Sequence, residues 1–185
     1  MKLPSKVIAL LLSAVFVAVL LWWFQPWRLI TQSTVSEALP TSIVQSESQE
    51  IDSIEQSEGQ SKVTFPVALL EGDLITHEHE TSGVVKILEL EDGSRILRLE
   101  GLETSDGPDL EVWLSNAPVI EGYDGWFLAD DDDYLSLGKL KATSGDQNYE
   151  IPEGIDLSRF SSMSIWCVRF AVSFGAAELV DGESN

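Results

Sequence analysis

The stretch Val84-Val85-Lys86-Ile87-Leu88-Glu89-Leu90-Glu91-Asp92-Gly93-Ser94-Arg95-Ile96-Leu97-Arg98-Leu99-Glu100 decides the fold class. Val85, Ile87 and Glu89 alternate with Val84, Lys86, Leu88 and Leu90, and Ile96 to Glu100 reads apolar, apolar, basic, apolar, acidic. A period of two puts successive side chains on opposite faces of a strand. Asp92-Gly93, between the two runs, signals a two-residue hairpin, because glycine accepts the positive φ that such turns demand. The period recurs in Leu110, Val112 and Leu114, with Glu111, Trp113 and Ser115 opposite. It recurs again in Trp166, Val168, Phe170, Val172 and Phe174, which reads as a single strand whose other face carries Ile165, Cys167, Arg169, Ala171 and Ser173. Turn signals stand at Gly72, Gly83, Gly107-Pro108, Gly122, Gly145 and Pro152. Short strands at this spacing, with no long helical stripe and no internal repeat, predict an all-β domain over residues 63–180. The expected architecture is a two-sheet antiparallel β-sandwich around one core.

The flanks read differently. Val7 to Phe24 is apolar except for Ser13. Its 18 residues would span roughly 27 Å as a helix, close to a bilayer's hydrocarbon core. Lys2 and Lys6 precede the run, and Trp22, Trp23 and Trp27 sit where an interfacial aromatic belt belongs. Residues 1–30 therefore read as an N-terminal signal anchor: a single-pass transmembrane helix in the cell membrane, with the N-terminus cytoplasmic and the domain extracytoplasmic. A cleaved signal peptide would need small residues after the apolar run, where this chain has Trp-Trp-Phe-Gln-Pro-Trp. Residues 31–62 are acidic and Ser/Gln-rich without an aromatic residue, a composition that cannot bury enough apolar area to order itself. They are expected to be a disordered linker that holds the domain away from the bilayer, and 181–185 a short tail.

Charge and cysteine content exclude whole classes. With 31 acidic against 11 basic residues, a net charge of −20, the chain is a poor match for nucleic acid. One cysteine rules out an internal disulfide, a four-cysteine zinc or iron–sulfur site, and the Cys-x-x-Cys and Cys-x-x-Cys-His motifs. No Gly-x-Ser-x-Gly elbow and no phosphate-cradling glycine loop is present.

An ordered set of motifs carries a resemblance. His79-Glu80-Thr81-Ser82-Gly83 precedes the Asp92-Gly93 hairpin. Then follow Thr104-Ser105-Asp106-Gly107-Pro108-Asp109-Leu110, Leu137-Gly138-Lys139-Leu140-Lys141, Gly145-Asp146-Gln147-Asn148-Tyr149-Glu150-Ile151-Pro152, and Ser164-Ile165-Trp166-Cys167 with Phe170 to Leu179. Over residues 70–180 the chain resembles the electron-transfer DM-thirteen domain, a family found beside DOMON and cytochrome-b-like domains. The resemblance implies an extracytoplasmic β-sandwich with a redox role centred on the cysteine at position 167.

The residues themselves leave two readings of Cys167. It is a small buried hydrophobe, as free cysteines commonly are, or it is a redox thiol or cofactor ligand whose neighbour Arg169 would favour the thiolate. His77 and His79, at i and i+2, would share one face of a strand and reach one metal, or one of them would approach Cys167; His79 also belongs to the matching motif. Imidazole with thiolate suits copper, zinc or haem iron, so haem or a metal is the cofactor class open to this set. The alternative for the histidines is a surface pair beside Glu78 and Glu80. Asp130 to Asp133 lack the EF-hand spacing and read as a solvated acidic loop. Asp109 beside Gly107-Pro108 is expected to accept turn or strand-end backbone amides, with a metal or catalytic role as the alternative, and Trp113 and Tyr149 to pack as sandwich aromatics with polar tips.

Three functions follow from these readings. The first is a membrane-tethered electron-transfer module with Cys167 as its centre, His79 beside it, and a redox protein as partner. The second is a non-enzymatic cell-surface binding domain presenting acidic loops to calcium or an envelope partner. The third is a spacer without a ligand. No nucleophile, base and orienting group can be assembled, so a carrier or binding module fits better than a catalyst with its own substrate.

Overall fold

The computed structural model describes residues 5–24, 32–40 and 65–182. A helix α1 (Ser5–Phe24) precedes eleven strands: β1 (Thr34–Ser36), β2 (Val67–Asp73), β3 (Ile75–Thr76), β4 (Ser82–Glu89), β5 (Arg95–Glu103), β6 (Leu110–Ser115), β7 (Tyr134–Lys139), β8 (Ser144–Ile151), β9 (Ser162–Cys167), β10 (Val172–Glu178) and β11 (Val180–Asp181). One sheet runs β1-β8-β5-β4-β2-β11 and the other β3-β10-β9-β6-β7. The two sheets enclose one aliphatic core, as the period-two stripes predict. Val85, Ile87, Leu97 and Leu99 of the first sheet belong to one buried cluster with Val112, Leu114, Met163, Ile165 and Phe174 of the second. Each such side chain contributes about 1.5–3 kcal/mol by leaving water.

The structure departs from the sequence reading in four places. The β4–β5 connection is a three-residue loop: the Leu90 amide donates to the Ser94 carbonyl at 2.8 Å, and Gly93 takes φ +80° to let the Gly93 amide reach the Leu90 carbonyl at 2.9 Å. The stripe from Trp166 to Phe174 is two strands, β9 and β10, which pair antiparallel with Cys167 opposite Val172. Between them Val168 to Ala171 form an exposed hairpin tip, and Ala171 lies in the left-handed region at φ +49°. Alternation continues through the turn because the tip residues Val168 and Phe170 are themselves apolar, so periodicity alone gave no break.

The third departure lies inside the expected linker. Thr34, Val35 and Ser36 pair in parallel with Ser144, Gly145 and Asp146, extending the larger sheet at its edge and giving the otherwise antiparallel sandwich one parallel pair. The Glu37 carboxylate accepts from Lys141 Nζ at 2.8 Å and from the Asn148 amide at 2.7 Å, and the Glu37 carbonyl accepts from Arg98 Nη1 at 3.1 Å. Gly145 makes the close approach possible: a Cβ there would stand 1.9 Å from the Val35 carbonyl oxygen. The rest of the expected linker, residues 41–62, lies outside the described residues. At the C-terminus, β11 pairs with β2, so Asp181 belongs to the sheet and not to a tail.

The fourth concerns the anchor. Along α1 the side chains from Leu10 to Trp23 are exposed, with Leu10 and Trp22 at 72% and 70%. Among the described residues no helix is long and apolar enough to cross a membrane; the transmembrane helix expected over residues 1–30 is met here by an exposed apolar helix.

The Glu37 contacts lock the strap β1 onto the sheet edge. Glu37→Ala removes an ion pair and an amide acceptor, and is expected to weaken strap docking by about 1–2 kcal/mol. Hydrogen exchange should then speed up at Glu37, whose amide donates to Asp146, while amides of β4 and β5 keep their protection.

Candidate functional site at the Cys167 end of the sandwich

Cys167 ends β9 with no solvent exposure, inside the inter-sheet core. Alternation along β9 sends Met163, Ile165 and Cys167 inward and Ser162, Ser164 and Trp166 to the outer face. Trp166 there joins Trp113 and Ala129 in a second cluster. The Cys167 Sγ–H donates to the Pro108 carbonyl at 3.4 Å. Burial pushes the thiol's pKa above its ordinary value, and the Asp109 and Glu78 carboxylates push the same way against the Phe170 and Arg169 amides. The expected cation is elsewhere: Arg169 sits on the exposed hairpin tip, its Nη1 donating to the Trp23 carbonyl at 2.8 Å. Cys167 is therefore a protonated, enclosed thiol.

The turn Gly107–Asp109 closes over the sulfur. Phe174 packs against Gly107 so closely that a Cβ there would meet its ring at 2.7 Å. Asp109 holds the left-handed conformation at φ +83°, unusual for a residue with a Cβ. Its carboxylate pairs with Lys139, which also donates to Glu111 at 2.9 Å, and these two carboxylates raise the lysine's pKa. The Asp109 side chain therefore caps no amide, a correction to the expectation; Asp106 accepts from the Gly107 amide at 2.8 Å, while the Asp109 carbonyl accepts from the strand-end Val168 amide at 3.1 Å. Outside the turn lies an open cleft of about 590 Å³, lined by Asp106, Gly107, Asp109, Lys139, Lys141 and Arg169. The sulfur lies one backbone carbonyl behind this cleft wall. Sequence reasoning had missed the cleft, although Asp-Gly-Pro-Asp, with a turn glycine and a charged residue on each side, carried a signal for it.

The histidines do not act as a pair. β3 ends at Thr76, and residues 77–80 are irregular, so the same-face argument fails. Both backbone amides donate to the Phe174 carbonyl, His77 at 3.0 Å and His79 at 3.4 Å, but the rings contact neighbouring residues on opposite faces of β10. His79 lies half-buried against the Phe174 ring, centroids 3.9 Å apart, with Nε2 on the Glu78 carboxylate at 2.5 Å. His77 is buried, its Nδ1 2.9 Å from Ser173 Oγ. Ser173 donates its hydroxyl to the Gly175 carbonyl and accepts from Ser164, so this network ties the His77 ring to β9 and β10. Nε2 borders a cavity of about 10 Å³ and makes no side-chain hydrogen bond. Burial holds the pKa of His77 below 6.5, while the Ile120 carbonyl opposes this electrostatically. Thr81, passed over in sequence, ties the loop down. It contacts the His79 and Phe174 carbonyls and Thr104 Oγ1 within 3.1 Å.

The donor set does not fit a metal or haem. Among the described residues no three His, Cys, Asp or Glu side chains gather where one ion could be held. The cavity at His77 admits about one water and no macrocycle. Asp130 to Asp133 form an exposed loop in which Asp132 accepts from Asn116 at 3.3 Å and Asp133 pairs with Arg159. The two aromatics take the predicted roles. Trp113 Nε1 donates to Glu111 at 2.7 Å. Buried Tyr149 donates its hydroxyl to Gln147 at 2.7 Å, and burial pushes its pKa up to about 12.

The site thus places the enclosed thiol of a two-sheet sandwich beneath an open polar cleft. Residues 73–179 match the family model described as Electron transfer DM13. That match covers more than half of the chain, which belongs to this family and shares its general electron-transfer role. No curated protein and no solved structure matches the chain.

A histidine kept neutral by burial costs stability in acid. The folded state resists a proton that the unfolded chain accepts below pH 6.5, so stability is full above that pH and falls as pH drops. Chemical denaturation between pH 7 and pH 5 should therefore show a decline that His77→Gln abolishes. Losses from Glu37, Glu100 and Glu111, whose pKa values lie below 4.5, should persist in the variant at lower pH.

Proposed function

We propose that this protein is a redox module held at the cell membrane by α1, with its sandwich extracytoplasmic and Cys167 as the group that exchanges electrons with a protein partner. Family membership supports the electron-transfer role. The apolar run from Val7 to Phe24, with Lys2 and Lys6 before it, supports the anchor and its orientation. The observation that carries the choice of Cys167 is its seat: fully enclosed, yet bonded to the carbonyl of the very turn whose flanking residues line the cleft.

A lone thiol has restricted redox options. With one cysteine in the chain, no internal disulfide can form, so two-electron oxidation leaves the sulfur bonded to a group brought from outside. That attack requires the thiolate, and burial disfavours the thiolate. Electron exchange at Cys167 is therefore gated by opening of the Gly107–Asp109 turn or of the Val168–Ala171 hairpin. His79, tilted against the Phe174 ring and paired with Glu78, orients this end of the core and does not ligate the sulfur.

Gating has a kinetic signature. An aromatic disulfide reagent should modify Cys167 more slowly than an exposed thiol by on the order of 10³, the factor that about 4 kcal/mol of opening free energy imposes. The rate should become independent of reagent concentration when opening limits it. Asp109→Ala, which frees the turn from Lys139, should accelerate it. In parallel, Cys167→Ser should abolish electron exchange with envelope reductants; a Ser variant that exchanges electrons like the parent refutes the assignment.

A further inference from the structure

The strap β1 fixes where the domain can stand relative to the helix. Ten peptide steps separate Phe24, the last residue of α1, from Thr34, the first of β1. At about 3.6 Å per residue they reach at most about 36 Å, and any slack shortens that. Because Thr34 to Ser36 belong to the sheet, residues 41–62 are not interposed between helix and sandwich; they connect β1 to β2, both within the same sheet. The spacer role expected for residues 31–62 is accordingly corrected.

The strap also decides which end of the sandwich faces the helix. β1 begins beside Ser144, and Glu103 of β5 pairs with that same Ser144. Leu110 and Cys167 pair at the matching end of the second sheet, where Ser33 and Arg169 line the same cleft. The Glu91–Gly93 loop and the Pro152–Gly154 segment lie at the opposite end, since Arg95 pairs with Ile151. Contact confirms the direction: Arg169 Nη1 donates to the Trp23 carbonyl at 2.8 Å, and its guanidinium stands 5.9 Å from the Trp23 ring.

The tip beside that contact has the chemistry of a bilayer interface. Val168 and Phe170 are 40% and 47% exposed with Arg169 between them. Apolar side chains around a cation suit the headgroup zone. Of the cations at this end, Lys139 is paired with Asp109 and Glu111 and Lys141 with Glu37, which leaves Arg169 as the one on the tip itself. The far end carries Asp92, Glu150 and Glu153 with Arg95 among them, and no exposed apolar tip of this kind is described there.

We propose that β1 holds the Cys167 end of the sandwich against the bilayer, with the hairpin tip Val168–Arg169–Phe170 seated among the lipid headgroups. The cleft over the thiol then opens toward the membrane plane, and the electron partner is one that reaches it along that plane. This rests on the membrane-anchored reading of α1. The full chain, reconstituted in vesicles of phosphatidylcholine and phosphatidylglycerol, carries an environment-sensitive dye at Phe170→Cys or, separately, at Glu153→Cys; the parent chain treated with the same dye controls for labelling at Cys167. Bromine-labelled lipids should quench the Phe170→Cys dye several-fold more than the Glu153→Cys dye. Val35→Pro, which disrupts the strap, should erase the difference while the chain still floats with the vesicles. A chain that floats but shows equal quenching at both positions overturns the docking and spares the anchor. A difference that survives Val35→Pro overturns the strap as its cause. A chain that does not float overturns the anchor reading and the docking with it.

Discussion

Burial of β9 on both faces is the constraint from which the rest of the sandwich follows. All six residues from Ser162 to Cys167 are buried. One face carries Met163, Ile165 and Cys167 into the inter-sheet core, which needs only volume and apolarity. The other carries Ser162, Ser164 and Trp166 under the β6–β7 connection, where every hydroxyl requires an acceptor. Ser162 donates to the Ala117 carbonyl at 2.7 Å, Ser115 to the Ala129 carbonyl at 3.0 Å, and Ser164 to Ser173 at 2.9 Å. The Trp126 carbonyl accepts from the Ser173 amide at 2.7 Å. These bonds fasten residues 117–129 over the sheet, and they place His77 against that loop. A serine-bearing face that looks solvent-exposed in an alternating pattern is here a second, polar interior.

Legibility in the sequence followed the kind of force involved. The inter-sheet core was readable because hydrophobic burial leaves a period-two trace in Val85, Ile87, Val112 and Leu114. The strap was not readable, because an edge strand is held chiefly by backbone hydrogen bonds, to which Thr34-Val35-Ser36 contributes no distinctive side chain. What side-chain specificity it has lies in Glu37, whose partners Arg98, Lys141 and Asn148 are more than 60 residues away in the chain. The histidine pair failed for a related reason: an i, i+2 argument assumes extended backbone, and Thr81 pulls residues 77–80 out of it by bonding the His79 carbonyl. Cys167 was placed on its strand correctly, but its neighbour Arg169 was not, since a turn between them breaks the alternation.

The charge distribution around the thiol argues against a reactive cysteine of the usual kind. Low-pKa thiols sit near cations or helix N-termini in partly exposed pockets. Around Cys167 the nearby formal charges that shift it are the carboxylates of Asp109 and Glu78. Lys139, which pairs with Asp109 of the turn, is also held by Glu111 and directs its charge to these two carboxylates. The resting state is built to keep the proton on sulfur, with the Pro108 carbonyl as its acceptor.

A protonated, enclosed thiol is protected from adventitious oxidants, and selectivity then resides in whatever opens the enclosure. The two segments able to do so, Gly107–Asp109 and Val168–Ala171, are the ones with left-handed non-glycine residues, Asp109 and Ala171. Such conformations persist only where surrounding contacts over-determine them. For Asp109 the contact is Lys139, at the cleft surface; for the hairpin it is Arg169 on Trp23, at the end of the helix. Both restraints are external to the core, so loss of either leaves the two-sheet packing beneath it intact. Access to the sulfur is in this way separable from the stability of the fold, which a domain of this size needs if it is to expose its one thiol without unfolding.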